Sequence, residues 1–260
     1  SRSVDVVLEE ASAVLLPDTG RVVATMAGLG ETCDLLIAVG GDGNILNAGR
    51  AMARYGVPIL GINRGRLGFL ADISPDEIEA RLGEVLAGEY TVEEHFLLEG
   101  EVQDSEEAPC ALNEVVLHSN NMPKMLEIDL YVDDVFVYNQ HSDGLIISSP
   151  TGSTAYALSA GGPIMHPSLD AIVLVPMFPH ALTSRPLVVP GGSEIRLVIG
   201  TDTSVKAKVS FDSHLEFQVE PGDSLIIRKK KEKLTLIHPP GHSFYGTCRS
   251  KLNWASRLIR

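Results

Sequence analysis

The sequence predicts a chain of two parts, an α/β domain followed by an all-β domain of sandwich type. Three observations carry this. An apolar strand, a glycine turn, a helical stretch and a second strand follow one another in the first third. From about His95 the apolar residues change to a period of two. The chain has 260 residues, 44% of them hydrophobic and 21% charged, which is enough for two modest cores in a globular protein.

The run "DLLIAVGG" (34–41) is of strand length and continuously apolar, as expected of a parallel strand buried on both faces. From Asn44 to Tyr55, Ile45, Ala48 and Met52 share one helical face, Gly56 supplies a stop, and Pro58 prevents continuation. "VPILGIN" (57–63) is the next strand, completing a β-α-β unit with the glycines in its first turn. Ser74-Pro75-Asp76-Glu77 combines an N-cap, a proline at the first helical position and a capping-box glutamate. Ile78, Leu82, Val85 and Leu86 line the helix that follows, and Gly88 ends it.

In the second part, Leu126, Ile128, Leu130 and Val132 alternate with polar residues, Asp133-Asp134 interrupts, and "VFVYN" resumes, which reads as a hairpin. "GLIISS", "AIVLVPMF", "PLVVP", "EIRLVIG", "AKVSF", "LEFQV", "SLIIRKK" and "KLTLIH" are further strands, with one helical interruption at "STAYALSAGG" (153–162). Pro221-Gly222-Asp223 marks a turn. The basic run "RKKKEK" (228–233) reads as a solvated hairpin tip, the acidic "DSEEA" (104–108) as a loop, and "RSKLNWASRLIR" (249–260) as an amphipathic helix. The expected boundaries are an α/β domain over 1–94, a β-sandwich over 95–242, and a C-terminal segment, 243–260, that packs back on the first domain.

Composition narrows the function. The net charge of -13 argues against a nucleic-acid polymer, whose binding rests on basic surface, but not against a single nucleotide. No apolar run reaches the ~18 residues of a membrane-spanning helix. The opening "SRSVDVVLEE" lacks the basic-then-apolar order of a signal peptide. Cys33, Cys110 and Cys248 form neither a zinc spacing nor a disulfide framework, so a reducing, cytoplasmic location is expected. The eight histidines show no metal-ligand spacing, and no protein-bound metal is expected. P-loop, protein-kinase and nucleophile-elbow motifs are absent.

Three stretches carry chemistry. Gly40-Gly41-Asp42-Gly43 ends a strand ahead of a helix, where ligands of open α/β sheets bind. Asp-Gly is also an ordinary turn. In the functional reading the glycine N–H groups approach phosphate at the helix start, and Asp42 faces an acceptor hydroxyl or holds a metal ion. "SSPTGSTAY" (148–156) crowds hydroxyl side chains before a helix, either as an N-capped polar loop or as a ribose or phosphate contact. Asn113-Glu114, between "CAL" and "VVLH", has the chemistry to hold a ribose diol, although exposed strand positions look the same.

Together these resemble the NAD kinases. The matching stretches run in order: "GGDG" (40–43), "GINRGRLGFL" (61–70), "LNEVVLH" (112–118), "SDGLIISSPTGSTAYALSAGGPI" (142–164), "PHALTSRPLVV" (180–189) and "FDSH" (211–214). Diacylglycerol and sphingosine kinases and phosphofructokinases share the GGDG turn, so the Asn-Glu pair and the T-G-S-T-A-Y stretch are the selective features. The resemblance implies a Rossmann-like N-terminal domain, a β-sandwich C-terminal domain and an active site between them. It implies transfer of the ATP γ-phosphate to the adenosine-ribose 2′-hydroxyl of NAD, with Mg²⁺, in a homodimer or homotetramer; some members accept polyphosphate.

By the same resemblance Asp42 is the proton acceptor, with Gly43 beside it, and Gly40, Gly41, Gly43 and Arg64 lie on the phosphate side. Asn113 and Glu114 hold a ribose of NAD, Thr154, Ala155, Tyr156 and Ser159 line the dinucleotide, and Phe69 lies in a loop near the site. Lys124, His141 and Asp143 approach the substrate, sometimes across a subunit interface, and His214 stands where the family often has glutamine. The family pattern also leads one to expect a strand and helix ahead of residue 1. The rival readings are a lipid kinase of the diacylglycerol or sphingosine type and a non-catalytic dinucleotide sensor.

Overall fold

The computed structural model describes residues 4–16, 20–65, 68–71, 73–101, 108–120, 124–202 and 205–254. They form two compact units, Ser1–Glu94 with Glu232–Arg260, and His95–Lys231.

The first unit opens with β1 (Val7–Glu9), α1 (Glu10–Ala13), β2 (Val22–Ala24) and α2 (Met26–Thr32). The Glu9 carboxylate caps α1 and Thr25 Oγ1 caps α2. β1 and β2 pair in parallel as a small separate sheet. β3 (Leu36–Val39), α3 (Asp42–Met52) and β4 (Ile59–Ile62) form the anticipated β-α-β unit, with β3 and β4 parallel, but β3 is not buried on both faces as expected, since Ile37 and Val39 are exposed. A 3-10 turn over Ala53–Tyr55 and left-handed Gly56 (φ 68°) close α3. After a second 3-10 turn at Pro75–Glu77 comes α4 (Ile78–Leu86). Leu60, Ile62, Ile73 and Val85 are buried together with Ile237, and Ile78 and Leu82 pack on them. Leu86, expected on the same face, is 38% exposed.

One boundary differs from expectation in a way that matters. The helix starts at Asp42 rather than Asn44, with Gly41 as N-cap. Asp42 is therefore the first helical residue, where a carboxylate suits the positive end of the helix dipole.

The second unit is a β-sandwich. β5 (Thr91–Glu101) leads into it, followed by β6 (Cys110–Ala111), β7 (Glu114–Ser119), β8 (Leu126–Val132), β9 (Val135–Ser142) and β10 (Gly144–Ser148). A 3-10 turn at Thr151–Thr154 leads to the short α5 (Tyr156–Ser159). The remaining strands are β11 (Ala171–Met177), β12 (Leu187–Pro190), β13 (Ile195–Ile199), β14 (Ala207–Phe211), β15 (Leu215–Val219) and β16 (Ser224–His238). One sheet has the order β12-β11-β10-β7-β14-β15. The other places the first part of β16 beside β13, then β8, then β9. Their inner faces share one core, with Leu117, Leu145, Ile147 and Leu174 from the first sheet and Ile128, Leu130, Leu197 and Ile227 from the second. On the outer face of the first sheet, Ala157 of α5 and Met165 cover Val116, Ile146, Val173 and Val175. β10 is consequently buried on both faces.

The alternation at 126–132 is that of an inward-outward strand, and the β8–β9 turn is made by Asp133 (φ 50°) and Asp134 (φ 62°), two left-handed residues of the kind a tight hairpin needs. The basic run is not a hairpin tip. "SLIIRKK" and "KLTLIH" are one strand, β16, whose later residues Leu236 and Ile237 pair in parallel with β4. Its charges are matched on neighbouring chain: Arg228 to Glu101 at 2.7 Å, Lys229 to Asp170 at 2.6 Å, and Lys233 to Glu94 at 2.7 Å. The last helix, α6 (Phe244–Lys251), begins earlier than expected because Ser243 caps it. Residues 255–260 of the expected helix and 104–107 of the expected acidic loop lie outside the described residues.

Candidate active site

Two constructions, one in each unit, gather part of the candidate residues. Both use an aspartate to hold a turn by its backbone N–H groups.

In the first unit the Asp42 carboxylate reaches back from the start of α3 to the loop after β4. Its Oδ2 accepts from Phe69 N at 2.8 Å, and its Oδ1 accepts from Leu70 N at 3.1 Å and Ala71 N at 3.3 Å. Gly68 makes this approach possible, since a Cβ there would overlap Asp42 Oδ1. Phe69 therefore meets Asp42 through its main chain. Gly40 is needed for packing, because a Cβ would run into the Asn44 side chain, which itself donates to Val39 O at 3.1 Å. Gly41 and Gly43 are different: among the described residues, and apart from its chain neighbours and own helix backbone, a Cβ on either would meet nothing within 4 Å. Both lie exposed at the first turn of α3, where backbone N–H groups and the helix dipole favour an anion. Arg64 is exposed on the following loop.

In the second unit Asp212, a left-handed residue (φ 48°), caps the Asn113-Glu114 turn. Its carboxylate accepts from Leu112 N and Asn113 N at 2.8 Å each and from Glu114 N at 3.2 Å, while its own N–H donates to Glu114 O at 3.0 Å. The serine-rich stretch packs on the same turn. Ser149 N donates to Asn113 O at 2.9 Å, and Ser149 Oγ donates to Leu112 O at 2.5 Å. A Cβ at Gly152 would overlap the Asn113 carbonyl oxygen. Ser153 Oγ donates to Pro150 O at 2.6 Å, and Thr151 Oγ1 lies 2.8 Å from Nδ1 of the buried His95. Most hydroxyls of "SSPTGSTAY" thus build the segment itself.

The Glu114 side chain stands at the centre of this group, 5% exposed, and its Oε2 has no hydrogen-bond partner among the described residues. Burial, then repulsion from the Asp212 carboxylate, pushes its pKa up to about 8 against the pull of the Tyr156 backbone N–H. The consequence for stability has a definite sign. An unfolded chain ionises this carboxyl near 4.5, and the folded chain near 8. Its contribution is fully present below pH 4.5 and is lost as pH rises toward 8, to the extent of a few kcal/mol. Glu114→Gln removes that loss, so its melting temperature is expected to gain on wild type across this window and to hold a constant lead above it. Parallel melting curves from pH 5 to 9 would show that the carboxyl ionises normally in the fold.

Of the other expected residues, Tyr156 (44% exposed) and Ser159 are exposed, and Thr154 and Ala155 are half-buried around the start of α5. His141 is exposed near the end of β9, and its carbonyl accepts from His180 N at 2.9 Å. Lys124 is exposed just ahead of β8, toward the same end, since Leu126 pairs with Ser142. Asp143 is held by its main chain between Ser119 and Met177. His214 is exposed and bonded through its N–H to Phe211 O at 3.0 Å. The sequence motifs do not mark Gly68, and the "FDSH" stretch points to His214 rather than to the hydrogen bonding of Asp212. The signal for Asp212 was an Asp-Ser pair between two strands, ordinary turn chemistry in itself.

Comparison with known proteins agrees with both halves. Residues 7–90 match the ATP-NAD kinase N-terminal domain and residues 112–239 the ATP-NAD kinase C-terminal domain. An NAD kinase of Teredinibacter turnerae is 55% identical over 258 residues, covering 98% of this chain and 88% of that protein. An NAD kinase of Azotobacter vinelandii is 55% identical over 260 residues, with 99% and 88% covered. Among solved structures, yeast NADH kinase complexed with NADH superimposes with a TM-score of 0.87 at 28% identity, covering 99% of this chain and 81% of that one. An NAD kinase from Archaeoglobus fulgidus in complex with ATP gives a TM-score of 0.76 at 28% identity, covering 94% and 98%. Both domains are matched in order and at high identity over nearly the whole length, and the chain belongs to the NAD kinase family.

Proposed function

We propose that Asp42 is the residue through which this member of the NAD kinase family phosphorylates NAD to NADP. In the reaction the adenosine-ribose 2′-oxygen forms a bond to the γ-phosphorus of ATP. The bond from that phosphorus to the β–γ bridging oxygen breaks, ADP leaves, and the hydroxyl proton passes to the Asp42 carboxylate. One observation carries this reading. A carboxylate has about four acceptor positions, and three backbone N–H bonds occupy Asp42 while fixing its direction. A single position remains, enough for one hydroxyl that needs a base.

The exposed N–H groups at Gly41 and Gly43 suit the phosphates of the donor, with Arg64 as a nearby cation. In the second unit, Glu114 with its partnerless Oε2 and the adjoining Asn113 suit a ribose diol, and Thr154, Ala155, Tyr156 and Ser159 the remainder of the dinucleotide. Mg²⁺ bound with ATP would supply neutralisation of the charge on the transferring phosphoryl group. Asp42 belongs to no group of three or more metal-ligating side chains among the described residues, and the nucleotide phosphates would supply oxygen ligands to this ion. The reading further includes a homodimer or homotetramer, with Lys124, His141, Asp143 and His214 near the substrate, and a cytoplasmic location. The family resemblance supports the oligomer. No helix of the described residues is long and apolar enough to cross a membrane.

Offering NAD, NADH, diacylglycerol and sphingosine separately with γ-labelled ATP tests the reading. Label is expected in NADP. Label in a lipid and none in NADP would overturn it.

A further inference from the structure

A third group of side chains lies in the first unit and takes no part in the chemistry above. Glu93 on β5, His238 at the end of β16 and His242 just before α6 bring one carboxylate oxygen and two ring nitrogens within 4.8 Å of one another. Glu93 Oε2 is 3.8 Å from His238 Nε2 and 3.7 Å from His242 Nε2. The two rings stack, with centroids 3.8 Å apart and planes at 17°. A turn produces this. After His238, Pro239-Pro240-Gly241 reverses the chain with Gly241 in the left-handed region (φ 91°), His242 N donates to Pro239 O at 3.3 Å, and the second imidazole returns over the first. The sequence carries this as a His-x₃-His spacing, one that zinc sites use, so the expectation that the histidines show no ligand spacing is corrected here; only the carboxylate, about 145 positions upstream, is out of sight along the chain.

We propose that Glu93, His238 and His242 form a binding site for a divalent transition-metal ion of the Zn²⁺ class, separate from the Mg²⁺ that accompanies ATP. The donor set decides the class. Two imidazole nitrogens and one carboxylate oxygen suit Zn²⁺, Co²⁺ or Ni²⁺, whereas Mg²⁺ prefers oxygen throughout. Tetrahedral ligands at ~2.0–2.1 Å from zinc stand roughly 3.3–3.4 Å apart, so the 3.7 and 3.8 Å separations need only a small contraction. The rings must also open from their stack so that both nitrogens face the ion. Burial is graded in a useful way: His238 is 3% exposed, His242 13% and Glu93 23%, which leaves the outer side accessible for entry and for a fourth, water ligand. A bound ion would tie β5 and the end of β16 to the segment entering α6. It would therefore stabilise the fold by mass action, without touching substrate.

The test uses the full chain stripped with chelator and then titrated with Zn²⁺ alone, in the presence of excess Mg²⁺, by calorimetry. One equivalent is expected to bind saturably and to raise the melting temperature. Glu93→Gln and His242→Ala should each weaken this binding by roughly 100-fold or more, since loss of even an outer-shell partner costs ~10–100-fold. Each variant's melting temperature is compared with and without Zn²⁺, so that the readout is the loss of metal-induced stabilisation rather than the metal-free value. Co²⁺ added to the wild-type chain should give the intense visible bands of a four-coordinate site with nitrogen ligands. If His242→Ala does not fold, this spectrum and His242→Asn decide. Absence of saturable Zn²⁺ binding, a six-coordinate Co²⁺ spectrum, or binding that survives in the variants would overturn the proposal.

Discussion

Asp42→Asn is expected to lower kcat by ~10²–10⁴, the usual cost of losing a general base. The structure adds a second effect. The carboxylate accepts from Phe69, Leu70 and Ala71 N–H groups, and an asparagine must point its own NH₂ at one or more of these donors. Loop order should therefore suffer as well, with a stability loss of about 1.5–3 kcal/mol, the range for hydrogen bonds to a charged group. Gly68→Ala separates the two effects. It retains the base, but the new Cβ overlaps Asp42 Oδ1 and displaces it. If the direction of the carboxylate matters, kcat falls in this variant too, while the dissociation constant for NAD changes much less. Measured kcat, NAD affinity and melting temperature for both variants decide the matter. Near-normal turnover in Asp42→Asn would remove Asp42 from the chemistry and leave it as a loop anchor.

Asp212→Ala should be the most damaging change in the second unit. Three backbone donors at 112–114 lose one charged acceptor, and alanine is less at ease than aspartate at a φ of 48°. A loss of about 2–4 kcal/mol is expected, or roughly 5–15 °C in melting temperature for a chain of this size. NAD binding should weaken about tenfold or more, because Asn113 and Glu114 are aimed by this turn. Asp212→Asn, which tolerates the left-handed backbone and still accepts hydrogen bonds, should recover part of both. Unchanged NAD affinity in a destabilised Asp212→Ala would show that the turn does not aim the ligand contacts.

What could be read from the sequence was local. The β3-α3-β4 unit follows from one apolar run, one helical face and one glycine stop, and the β8–β9 hairpin from strict alternation around Asp133-Asp134. The same local logic failed on β16. Arg228, Lys229 and Lys230 read as solvated because their partners, Glu101, Asp170 and Glu99, lie far away in sequence. It failed again on Asp212, whose partners are backbone N–H groups about 100 residues upstream. Main-chain donors carry no residue identity, so no motif records them. Asp42 was singled out for its place between glycines, but its anchoring of residues 69–71 depends on a missing Cβ at Gly68, which leaves only one more glycine in the chain.

Burial of β10 on both faces has a consequence for how the second unit moves. Amide hydrogens of Leu145, Ile146 and Ile147 reach solvent only when both of the cores that enclose them open, so they belong with the slowest-exchanging in the unit. The segment 148–156 continues directly from that strand and is bonded to it and to the Asn113 turn at Ser148, Ser149 and Gly152. It thus shares the slow opening of a core strand, although surface loops ordinarily open first. If the dinucleotide binds here as proposed, it would meet a segment whose shape is already set, and little of the binding free energy would go into ordering the chain.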